Sequence, residues 1–330
     1  MKMTQKLAGL LVVATLLGGV AQVTTTQTNA FASESVEGVQ TRALSKPYVV
    51  YGAGTRQKTQ TAQTLGISNN YQKLTTTGAD AKYIGLTGIS NEAMISSVSL
   101  APAEPKTGTL VNIEPFEGKN NITKVTAQQY AMAATMAGVD DVIITVTADK
   151  PVSGEAALAG VYKALDTDGI ALNQQNTNAA NNVLEATTQV LDTQGEKSDS
   201  KYAGKLTAAV TNTASELADR KQQGDNIDIN VIINQLTVNL EQNDLGDKVS
   251  DEQVNQIATA LQSVNEAPIS NSSDFVKSSA KLSDKLTKST GDVMAKAHDF
   301  ANSKDAHNAS NWFVTHIWEP VFNFFSSLFN

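Results

Sequence analysis

Cysteine is absent from all 330 residues, which excludes disulfide frameworks, zinc–thiolate sites, thiol nucleophiles and lipoprotein-type acylation together. Histidine is almost absent: His298, His307 and His316 stand nine residues apart near the end of the chain. On a continuous helix that spacing turns successive residues to opposite faces, so they do not converge on one metal, and surface positions are expected for them. Basic clusters are missing from a chain of net charge -8; nucleic acid, whose binding depends on Lys and Arg neutralising phosphates, is not an expected partner. Aromatic residues make up only 5% of the chain, and their distribution, discussed below, is uneven.

What is present begins with an export signal. Lys2 and Lys6 precede an almost wholly apolar run from Leu7 to Val20, which then gives way to polar residues. The run is shorter than the roughly 20 residues of a membrane span, and Ala30-Phe31-Ala32 supplies small residues where a signal peptidase reads them. Residues 1–32 are therefore expected to be a signal peptide cut before Ser33. The mature chain would then have 298 residues and, without Lys2 and Lys6, a net charge of -10. A chain of that length buries about three quarters of its unfolded surface and stands without disulfides or metals.

Residues 33–46 are polar and without periodicity, and read as a flexible lead-in. Residues 47–168 alternate strand and helix signals. Tyr48 to Tyr51 is β-prone, and Thr55 to Leu65 is helix-compatible and stops at Gly66. Lys73 to Thr77, Ser96 to Leu100 and Leu110 to Ile113 read as β pieces, with one short helix after Ser90. Thr126 and Gln129 form a capping box for a helix that Gly138 ends. Asp141 to Thr147 is a β-branched strand, and a helix follows to Leu165, its start marked by Pro151 and Ser153. The fold class expected is α/β or α+β, a mixed sheet with packed helices, followed by a mainly helical C-terminal region.

That helical extension is 169–265. Leu184, Val190 and Leu191 share one helix, Tyr202, Leu206, Val210 and Leu217 the next, and Ser250 with Gln253 caps a third. Between them Ile227 to Val231 alternates like a strand while Ile232 to Leu240 spaces like a helix, and the pattern alone supports both. Residues 266–311 are rich in Ser, Lys, Asp and Ala, with a thin stripe at Phe275, Leu282, Leu286, Val293 and Phe300, and read as a solvated stalk or long helix.

The final segment, 312–330, holds both tryptophans and five of the nine phenylalanines, with Glu319 and His316 its only titratable side chains. Val314, Ile317, Trp318, Val321, Phe325 and Leu328 share one helical face, and Pro320 divides the helix. Trp312, Phe313, Ile317, Trp318, Val321, Phe322, Phe325, Leu328 and Phe329 are the candidate docking residues. Three destinations fit them: the protein's own core, a membrane surface, or an envelope protein partner.

Candidate chemistry is sparse. Gly52-Ala53-Gly54 lies between a strand and a helix, but Gln57 stands where a third glycine belongs and also interrupts a phosphate loop ending in Lys58-Thr59. An ordinary tight turn is expected, with no nucleotide and no cofactor. Ser153 lacks a nucleophile elbow and suits a helix N-cap. Glu114, Glu117, Asp140, Asp141, Asp149 and Glu155 could furnish a glycosidase-like carboxylate pair only if two of them converge.

Asn121-Ile122-Thr123, Val125-Thr126, Tyr130-Ala131, Ala137-Gly138-Val139, Asp141 and above all the run Pro151 to Ala164 resemble the YpuA-like secreted proteins of Firmicutes, catalogued as domain of unknown function 1002. The likeness is specific between about 122 and 165 and thins over 48–261. The family's opening glycine-aspartate-leucine pattern is not kept near Gly54-Thr55. The resemblance implies a Gram-positive exported protein and transfers no activity, cofactor or catalytic residue. The function expected is an accessory protein of the cell envelope, binding or structural, either secreted and shed or loosely held at the surface. A secreted carboxylate-dependent hydrolase and a membrane-active effector are the alternatives.

Overall fold

A computed structural model describes residues 44–103, 106–194 and 200–288, all within the unit Gly38–Asn330. The signal segment, residues 33–43 of the lead-in, the three histidines and the aromatic segment lie outside the described residues.

The described chain opens with β1 (Tyr48–Gly52), α1 (Lys58–Thr64) and β2 (Gln72–Thr76), followed by 3-10 turns at Gly78–Ile84 and Asn91–Ala93. Next come β3 (Ser97–Pro102), β4 (Leu110–Ile113), α2 (Ala127–Met136), β5 (Val142–Thr147) and α3 (Glu155–Thr167). The strands form a five-stranded sheet in the order β2-β1-β3-β5-β4. β1 pairs parallel with β2 and β4 parallel with β5, whereas β3 is antiparallel to both β1 and β5. β3 alone runs against the other four, so the fold is mixed, as the alternating sequence implies.

The pleat sorts the strand residues. Tyr48, Val50, Val98, Leu100, Val111, Ile144 and Val146 join the large core with Tyr130, Met132, Leu158 and Tyr162 of α2 and α3. Val49 and Tyr51 point the other way and meet Leu65 beyond α1. α3 lies so close to the sheet that a Cβ on Gly160 would stand 3.0 Å from both Thr76 Oγ1 and Val98 Cγ1.

The second half of the chain is helical: α4 (Gln174–Gln194), α5 (Ser200–Gln222), α6 (Ile229–Gln242), α7 (Asp251–Glu266) and α8 (Ser273–Lys288). α4 packs on α2 and α7, and α5 on α2, α6 and α8. Leu184, Val190, Leu191, Leu206, Val210, Leu217, Ile232 and Leu236 belong to the same core as the sheet face, so the division drawn at 168/169 is not a gap in packing. Buried Thr207, Thr211 and Thr213 fit inside α5 because each hydroxyl donates to the carbonyl four residues back.

Three sequence expectations change. The ambiguous stretch around 227–240 is a helix from Ile229, because the Asp228 carboxylate accepts from Val231 N–H and caps it. The end of the lead-in is fixed: Leu44 is buried, and Ser45 donates through its amide and hydroxyl to Asp168. The solvated stalk gives way, as far as 288, to a packed helix. Phe275, Leu282 and Leu286 are buried, together with Ser279, Ser283 and Lys285, as α8 lies against α5 and α2. A stripe of three apolar residues looked too thin to bury, but small serines between them let α8 approach closely, and Ser283 donates to Ala208 O.

Candidate functional site

In open α/β sheets ligands gather beyond the carboxyl ends of the co-directional strands. Here that edge assembles Gly52 of β1, Thr76 of β2, Glu114 after β4, and Asp149 after β5. The turn after β1 is packed shut. Gly52 and Gly54 lie against the backbone of 92–95, where a Cβ would meet carbonyl oxygens at 2.3 Å. Its amides are all committed. Gly52 donates to Ser97 Oγ, Ala53 to Thr76 O, Gly54 to Met94 O and Thr55 to Gly52 O. Arg56 and Gln57 both donate to one oxygen of Asp149, at 2.6 and 3.0 Å. The Asp149 carboxylate thus ties the backbone of the turn, just ahead of α1, to the chain that leaves β5. The turn is the ordinary tight turn that Gln57 suggested.

Ser153 is not the N-cap of α3. Gly154 takes that place with φ of 112°, a left-handed conformation that disfavours any side chain, and a Cβ there would stand 2.5 Å from the Tyr130 hydroxyl. Ser153 donates instead to Glu155 at 3.3 Å. The capping hydroxyl arrives from a distant strand: Ser96 accepts from Ala157 N–H at 2.8 Å and donates to Gly154 O. Tyr130 also donates to Gly154 O, at 2.6 Å. Its buried hydroxyl is pushed up above the usual phenol range by loss of solvent and then by Glu155. No local signal reveals Ser96, because a cap supplied across tertiary space leaves none.

The acidic candidates divide between the two ends of β5. Asp140 and Asp141 precede the strand and Asp149 follows it, six strand residues or roughly 20 Å away. Asp141, itself at φ of 50°, accepts from Lys106 and Gly108 amides and pins the loop before β4. Asp140 accepts from Ser278 of α8. Glu114 is buried and accepts from Asn112, Glu155 holds Ser153, and Glu117 is exposed in the tight turn closed by Phe116 and Lys119. The six are not brought together in one cleft. Among the described residues no group of three or more histidine, aspartate or glutamate side chains is placed to hold a metal, and no helix is long and apolar enough to cross a membrane.

One buried sheet face not named by sequence reasoning is ordered by strand register. On the face that carries α1 over β1, three rows cross β3, β5 and β4. Ala101, Ile143 and Leu110 form one; Ser99, Thr145 and Asn112 the next; Ser97 and Thr147 with Glu114 the third. The signal was the alternation Ser97-Val98-Ser99-Leu100 and Thr145-Val146-Thr147, which marks one apolar and one small polar face. These polar side chains are buried and hold the fold from within: Ser97 accepts from Gly52 N–H, Ser99 donates to Leu65 O, Asn112 to the Glu114 carboxylate and Thr147 to Glu114 O. The nine candidate docking residues, Trp312 to Phe329, lie outside the described residues.

The sequence model of the family described as "Protein of unknown function (DUF1002)" matches residues 51–282. Among curated proteins, "Uncharacterized protein YpuA" of Bacillus subtilis (strain 168) is 26% identical over 267 residues, covering 79% of this chain and 82% of that one. No solved structure matches.

Proposed function

This chain belongs to the DUF1002 family, and from that membership and the disposition of its polar groups we propose an exported accessory protein of the Gram-positive cell envelope that binds rather than catalyses. Residues 1–32 direct export, the α/β core with its helical layer is the body, and the aromatic segment 312–330 docks it to a membrane surface. The observation that carries this reading is the engagement of the acidic side chains in structural bonds. Asp149 fastens the backbone ahead of α1, Asp141 pins a loop, Asp140 holds α8 and Asp168 holds the entering chain. A general acid–base pair needs two carboxylates free to face one substrate bond.

The test is expression of the full chain in a Gram-positive host, followed by fractionation and N-terminal sequencing. The reading expects a mature protein beginning at Ser33 in the envelope fraction, released into the medium when 312–330 is deleted. Retention in the cytosol with Met1 intact would overturn it, as would an envelope-polymer hydrolysis activity abolished by Asp149→Asn.

A further inference from the structure

We draw no further inference here: the strongest candidate, the side-chain cluster of Lys285, Asp140 and Asp141 where α8 meets the loops ahead of β4 and β5, rests on the titration of a single amine, and its groups are already engaged in holding α8 and the 106–108 loop in place rather than turned toward a ligand or a partner.

Discussion

The Lys285 ammonium on α8 and the Thr107 carbonyl before β4 are joined by a hydrogen bond inside the protein, 178 residues apart in sequence. The bond fastens the last described helix to the edge of the sheet. Burial pushes the amine down to about 8, Lys281 adds to the shift, and Asp140 and Asp141 oppose it. The folded value lies below the ordinary 10.5, so the unfolded chain holds more protons between those two values and stability rises with pH across that window. The gain is complete above the unfolded pKa and lost as pH falls through about 8. Lys285→Met should remove that dependence, amounting to about 2–3 kcal/mol. Urea midpoints at pH 7.5 and 9.5 check it: the parent should gain on the variant as pH rises, in a range below the titration of the buried tyrosines, whose values are raised.

Gly160→Ala should destabilise by about 1–3 kcal/mol, the usual cost of overpacking. The new methyl has Val98 and Thr76 at 3.0 Å and Val50 at 3.4 Å. Thermal melting of the variant and of Gly160→Ala combined with Val98→Ala is the measurement. Partial recovery in the double variant would place the clash between α3 and β3.

Ser96→Ala should cost about 1–2 kcal/mol, at or above the ordinary loss of a cap, because the hydroxyl is buried and leaves Ala157 N–H with only Gly154 O. Hydrogen exchange should rise first at the opening turn of α3. Unchanged exchange there would show that Ser96 is not its cap.

Much of this was readable from the chain. The capping boxes at Thr126 and Ser250 are local, their partners three residues away, and both form as spelled. The β-branched run Val142–Thr147 became the strand it resembles, buried on both faces. What escaped were relations across space. The capping of α3 by Ser96, the anchoring of α1 by Asp149 and the burial of α8 each join residues 60 or more apart, and composition windows are blind to them. The stalk reading failed for the same reason: an amphipathic helix with a narrow apolar stripe is solvated or buried according to the size of its neighbours, which here are the serines and alanines of α5 and α8.

Glu216 on α5 accepts from three amides, Asn212, Gln235 and Asn239, the last two reaching from α6 at 2.7 and 2.8 Å. Asn239 is 1% exposed. Glu216→Leu should therefore destabilise by about 2–3 kcal/mol by stranding amide donors, whereas Glu216→Leu with Asn239→Leu should recover part of the loss. A double-mutant cycle by chemical denaturation gives the coupling, and additive losses would mean the α5–α6 network is not a unit.

β3 stands at the middle of the sheet and runs against every other strand. On one side of it lies the crossover β1–α1–β2, on the other β4–α2–β5, each a parallel pair that borrows its remaining hydrogen bonds from β3. Neither half is a sheet in its own right, and β5 reaches β3 only after some 40 intervening residues have been synthesised. The fold is thus locked from its centre: the two parallel pairs become one sheet only when β3 has met β1 on one side and β5 on the other, so loss of the middle strand would cost both halves at once.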